Sequence, residues 1–234
     1  MFSMFVCPVW GQTIVSPVIS IEAAQVGSVA NQADAARLTK SWSERTKQGV
    51  NNMVQQESGV VREIQTGVDR LAKSCEVAGA LKKSNTQVDS GSIASYERTL
   101  EQRLALRQKN RTDLLAAIDS LNQKISKDSS SSSCGFLGLM ANDPIACEVE
   151  RYKKDMAGVL QEGVNRFYEN VFKRYALYKN VALQARSSCV QPDFLAKLIQ
   201  ADTEHLVPYE DRAYGVFSRL IDSVGSAFLN QTSN

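Results

Sequence analysis

SIASYERTLEQRLALRQKNRTDLLAAIDSLNQKISK, residues 92–127, is the stretch whose reading decides the fold. Ile93, Leu100, Leu114 and Leu121 recur at multiples of seven residues, and Leu104, Ile118 and Ile125 occupy a second register of the same period. A helix turning once every 3.6 residues gathers both sets on one narrow stripe, the seam of a packed helix. Arg107 and Arg111 hold the seam positions between Leu104 and Leu114. They predict a level at which the bundle opens, a carboxylate from another helix arrives, or a partner groove forms. If helical throughout, the segment is about 54 Å long and needs a partner helix of comparable length.

The partner is predicted downstream. Asp143 before Pro144 reads as a helix start, because proline is well placed in a first turn. From there Val149, Met156, Leu160, Val164, Phe167, Val171, Tyr175, Tyr178 and Ala182 keep helical spacing as far as residue 186. Tyr168, Phe172, Tyr175 and Tyr178 widen this stripe with aromatics, mostly core but also suited to an interface. Between the two helices, Lys127 to Cys134 is a low-complexity, serine-rich run that reads as a loop or flexible linker. It leads into Phe136, Leu137, Leu139 and Met140, an apolar patch with two glycines.

Upstream, Ala33 and Ala36, then Ile64, Val68, Leu71, Cys75 and Ala78, predict a helical stretch over about 21–83. Gly49, Gly59, Gly67 and Gly79 weaken it, each by about 1 kcal/mol in an exposed interior. The expectation is either a break between Gly49 and Gly59 or one long helix held by packing. Asp89 to Ser92 forms a polar turn able to cap the next helix. Toward the C-terminus, Pro192 opens a shorter helix to about Leu206, and Pro208 separates it from a last one over about 209–229. In that last helix Ala213, Val216, Phe217, Leu220, Val224 and Phe228 share a face. The fold class is therefore all-α: an elongated bundle of long antiparallel amphipathic helices, with a disulfide-tied loop and a smaller C-terminal helical part.

Composition narrows the function. The 234 residues are 43% apolar, enough for a core, and 27 basic residues nearly balance 25 acidic ones. That balance gives no electrostatic case for nucleic acid or a membrane surface as main partner. Residues 1–11 are apolar but too few to span a bilayer. They fit the tail of a signal peptide, with Val9 and Gly11 at the minus-three and minus-one positions of a cleavage that leaves Gln12 first, and no basic segment precedes them. Residues 12–20, with Pro17 inside, read as an extended arm.

Cleavage would remove Cys7 and leave Cys75, Cys134, Cys147 and Cys189, an even set suited to an oxidising compartment. Cys134 with Cys147 closes a short loop holding Gly135, Gly138 and Pro144, and Cys75 would then pair with Cys189. Free thiols in a cytosolic bundle are the alternative. No CxxC spacing and a single histidine, His205, argue against zinc, and no cofactor is expected.

No chain signature of a hydrolase, metalloprotease or nucleotide-binding site occurs, and His205 is the sole candidate base. The acidic pairs Glu97 with Glu101, Glu148 with Glu150, and Glu210 with Asp211 read as solvated helix faces pairing with neighbouring basic residues. No catalytic residue is assigned. The expected interface residues are Phe136, Leu137, Leu139, Met140, Phe217 and Phe228. Asn110 and Asn230 match a glycosylation pattern that matters only in a eukaryotic secretory setting.

Taken together, the stretch Gln12-Thr-Ile-Val-Ser-Pro-Val-Ile19, the helical texture from Ile21 and the long helices from Ser92 and Pro144 resemble the minor pilus subunits of bacterial type IV secretion and conjugation systems. The resemblance is architectural. It implies a periplasmic or extracellular helical bundle whose partners are other proteins, pilus or secretion-channel subunits among them. Two further expectations stand beside it: a cytosolic or virion structural bundle, and a small hydrolase using buried carboxylates on helices.

Overall fold

The computed structural model describes residues 32–81, 90–131, 144–186, 200 and 202–226, and all of the described residues are helical. Among the described residues four α-helices are delimited, α1 (Gln32–Leu81), α2 (Ser90–Ser131), α3 (Pro144–Arg186) and α4 (Val207–Ser226), with a π-helical turn at Asp202–Leu206 before α4. None of them is long and apolar enough to cross a membrane. The helices distribute their described residues over two compact units. Unit 1 gathers 56–81, 90–108, 168–186, 200 and 202–212; unit 2 gathers 32–55, 109–131, 144–167 and 213–226.

The apolar seam of α2 is buried apart from Leu104, which is half-buried. Ile93, Leu100, Leu114, Ile118, Leu121 and Ile125 all lie in the core, while the intervening Asp119 and Ser120 face solvent. α3 is the most deeply packed helix, with Met156, Leu160, Val164, Phe167, Val171, Tyr175, Tyr178 and Ala182 buried. Of its aromatic stripe only Phe172 remains half-buried.

Of the two alternatives for the first helical stretch, the long helix held by packing is the one found: α1 is continuous between Gly49 and Gly59. Two expectations need correction. The serine run does not begin a loop at once: α2 continues through Ser131. Serine ranks only modestly below good helix formers, so a formed helix can propagate into such a run. Pro208 does not separate two helices but sits in the first turn of α4, directly after the π-helical turn. There its missing N–H would have no intrahelical partner anyway. The apolar N-terminus at 1–11, the arm at 12–20, the start of the first helix at 21–31, and the predicted helix at 192–199 lie outside the described residues.

In unit 2, Trp42 on α1 stacks obliquely on Tyr152 of α3 with ring centroids 4.8 Å apart. Val50 on α1 meets α3 again at Gly163, so α1 and α3 run in the same direction. Phe167 meets Phe217 of α4 edge-on at 5.8 Å. The helices come close at Gly163, where an added Cβ would lie 2.2 Å from Val50 Cγ1 and 3.5 Å from Phe217 Cε1. Only glycine lets α1 and α3 come so near at this level.

Gly163→Ala should therefore destabilise unit 2 by about 1–3 kcal/mol through overpacking. It should do so although alanine is intrinsically about 1 kcal/mol better than glycine within a helix. Adding Val50→Ala should recover part of the Gly163→Ala penalty, a coupling readable from urea midpoints of the four members of the double-mutant cycle. A Gly163→Ala variant more stable than the parent would show that the helices stand further apart.

Candidate functional site

The largest concentration of ionisable groups in the described structure lies inside unit 1. Glu57 comes from α1, Arg103 and Arg107 from α2, Arg174 and Tyr175 from α3, Asp202 from the π-helical turn, and Glu210 and Asp211 from α4. Glu57, Arg174, Asp202 and Glu210 are completely buried and Arg107 is 1% exposed. Ionised groups so far from water persist only when each meets an opposite charge in hydrogen-bonding geometry.

Arg174 is the hub. Its Nε donates to Glu57 Oε1 at 2.9 Å, its Nη1 to Asp202 Oδ1 at 3.3 Å, and its Nη2 to Glu210 Oε1. One guanidinium thus ties α1, the π-helical turn and α4 to α3. A planar fork with donors in fixed directions does this; a lysine ammonium would not. The Arg174 cation also lies 5.5 Å from the Tyr175 ring centroid and 5.9 Å from that of Tyr178.

Arg107 is the second anchor. Its Nε donates to Glu210 Oε2 and its Nη1 to Asp211 Oδ1. Tyr175 Oη donates to Glu210 Oε2 at 3.3 Å. The third, Arg103, is partly exposed; its Nη1 donates to Asp202 Oδ2 and its Nη2 to Thr203 Oγ1 at 2.9 Å.

Burial and charge shape the acidities in opposite senses. Burial raises the Glu57 carboxyl above its ordinary range against the lowering pull of Arg174. Burial raises Asp202 likewise, against Arg174 and Arg103. For Arg107, burial weakens the charged form, but Glu210 and Asp211 outweigh it and hold the guanidinium above its usual value. Burial also raises the phenols of Tyr96, Tyr175, Tyr178 and Tyr209.

Several expectations change here. Arg107 on the α2 seam meets carboxylates from another helix, one of the three outcomes its position predicted. Arg111, in unit 2, instead donates from Nη2 to Asn165 Oδ1 at 2.8 Å. Glu210 is not on a solvated face: it is buried in the cluster, and only Asp211 of that pair reaches water. Glu97 is half-buried and Glu101 exposed on α2, and Glu150 pairs with Lys154 at 2.7 Å. His205 is exposed on the π-helical turn, opposite in exposure to Asp202.

Phe217 is a core residue, fully buried in unit 2, so its proposed interface role gives way to packing against Phe167. Phe136, Leu137, Leu139, Met140 and Phe228 lie outside the described residues, as do Cys134 and Cys189 and the side chain of Cys75. Cys147 is half-buried in the first turn of α3. Among the described residues, the large apolar side chains that do face solvent are Leu106 and Leu183, about half exposed. No group of three metal-binding side chains occurs among the described residues.

The cluster's three deeply buried carboxylates are held by guanidiniums rather than aimed at open space, an arrangement that fastens helices together. Compared with the families of known proteins, with curated proteins and with solved structures, the chain matches none.

Proposed function

We propose that this chain is an exported helical structural protein that works by binding other proteins, as a pilus-associated component of a type IV secretion or conjugation system would. The observation that carries the non-catalytic part is the arginine–carboxylate cluster. Among the described residues the fully buried carboxylates are Glu57, Asp202 and Glu210, and each is paired with arginine. A general acid must reach its substrate, whereas these side chains are spent on joining helices. The architectural resemblance and the cysteine pattern support the exported, pilus-associated part.

The bridges Cys134–Cys147 and Cys75–Cys189 belong to this proposal. The first would restrain the segment between α2 and α3, by about 3 kcal/mol on the chain-entropy model. The second would close a much longer loop.

Fractionation of the cells that make the protein tests the compartment. The expected result is protein in the periplasm or medium whose cysteines resist alkylation until reductant is added. Crosslinking in those cells should join it to pilus or channel subunits. Cytoplasmic protein with freely alkylated thiols would overturn export and bridges together.

A further inference from the structure

Three guanidiniums, those of Arg103, Arg107 and Arg174, face four carboxylates, those of Glu57, Asp202, Glu210 and Asp211. Counted as ionised groups, the cluster is one positive charge short. One proton would balance it, and the hydrogen bonds indicate where that proton belongs.

Glu210 accepts from Arg174, Arg107 and Tyr175, using both oxygens. Asp202 accepts on both oxygens, from Arg174 and Arg103. Asp211 accepts from Arg107 and is 59% exposed, so water completes its solvation. Glu57 differs from all three. Its Oε1 accepts from Arg174 Nε, but its Oε2 is buried with no hydrogen-bond partner. A bare carboxylate oxygen sealed from water is the costliest way to place negative charge in a protein interior, and a proton there removes that charge.

We propose that unit 1 folds around one bound proton, carried on Glu57 Oε2, and that it loosens as rising pH removes that proton.

The surroundings of Glu57 agree element by element. From α3 come Arg174 and, beside it, Tyr175 and Tyr178; from the π-helical turn comes Asp202; from α4 come Tyr209 and Glu210. On α4, Asp211 holds Arg107, and the exposed Arg212 acts on Tyr209. α2 contributes Arg107 and Arg103, already engaged by Glu210 and Asp202, and Tyr96, which acts on Asp202. Among the described residues Arg174 alone bonds Glu57, and it divides its donors among three acids. The two acids nearest in charge, Glu210 and Asp202, both oppose ionisation of Glu57.

The sign of the pH effect follows. A carboxyl whose folded pKa stands above its unfolded one stabilises fully below the unfolded value, and that stabilisation is lost as pH rises through the folded value. The folding equilibrium constant should then fall by up to about tenfold per pH unit across the upper interval. Asp202 is displaced in the same direction, so Glu57 is isolated by substitution.

Infrared spectroscopy of the full chain at pH 7 is the direct test. The expected result is a protonated-carboxyl carbonyl band that disappears in Glu57→Gln and persists in Asp202→Asn. Urea unfolding should show a wild-type stability that declines with pH faster than that of Glu57→Gln, which carries a neutral side chain of similar shape at every pH. A wild-type protein without the band overturns the proposal even where a variant fails to fold. So does a band lost in Asp202→Asn but kept in Glu57→Gln, or an equal pH dependence in wild type and Glu57→Gln.

Discussion

Arg174→Leu is expected to destabilise unit 1 by about 3–5 kcal/mol, the cost typical of removing one partner from a buried ionic group. The reason is what remains behind. Glu57 would lose its hydrogen bond on Oε1, Asp202 would keep only Arg103, and Glu210 would keep Arg107 and Tyr175. Leucine fills much of the volume, so loss of packing cannot account for the effect. Arg174→Lys should recover little of it, because one ammonium cannot direct separate bonds to α1, the π-helical turn and α4. Urea unfolding followed by circular dichroism checks both variants. A loss below about 1 kcal/mol for Arg174→Leu would place the cluster at a solvated surface instead.

The second large effect is expected on α2 in unit 2. Ile118 is completely buried and Asp119, the next residue, faces solvent. Ile118→Asp removes an apolar side chain from the core and puts an unpaired charge in its place, so a loss of several kcal/mol should follow. Asp119→Ala changes an exposed position and should stay within about 0.5 kcal/mol of the parent. The comparison uses neighbouring residues of one helix, so general effects on helix formation act similarly on both. Comparable melting temperatures for the two variants would mean that the buried face of α2 is assigned to the wrong residues.

The helices were legible because their information is local and periodic. Ile93 through Ile125 announce α2, and Pro144 marks the start of α3 by backbone chemistry alone. Their ends were less legible. Ser129 to Ser131 have only weak preferences, and Pro208 is equally at home before a helix or in its first turn.

The cluster was legible only in part. Arg107 stood out as a charge on an apolar seam, but Glu57 and Arg174 occupy the same kind of position. Glu57 follows Val50, Met53 and Val54 toward Ile64, and Arg174 lies between Val171 and Tyr178, all of them buried. A search for opposite charges on apolar stripes of different helices would have gathered these three. Glu210 gave weaker notice, because Asp211 and Arg212 beside it are exposed and make that stretch look solvated. Asp202 owes its place to the π-helical turn, which no short pattern in the sequence announces.

The shared guanidinium of Arg174 also constrains how such a chain can change over generations. Each single replacement in the cluster strands its former partners, and a loss of 3–5 kcal/mol approaches the whole stability of many domains, about 5–15 kcal/mol. Exchanging an entire buried ion network for apolar residues of matched volume, by contrast, is often neutral or stabilising. The two states are therefore both viable while the steps between them are not. Descendants of this sequence should keep Glu57, Arg107, Arg174, Asp202 and Glu210 as a set or lose them as a set, and the fitness effect of any one substitution should depend on the identities of the other four.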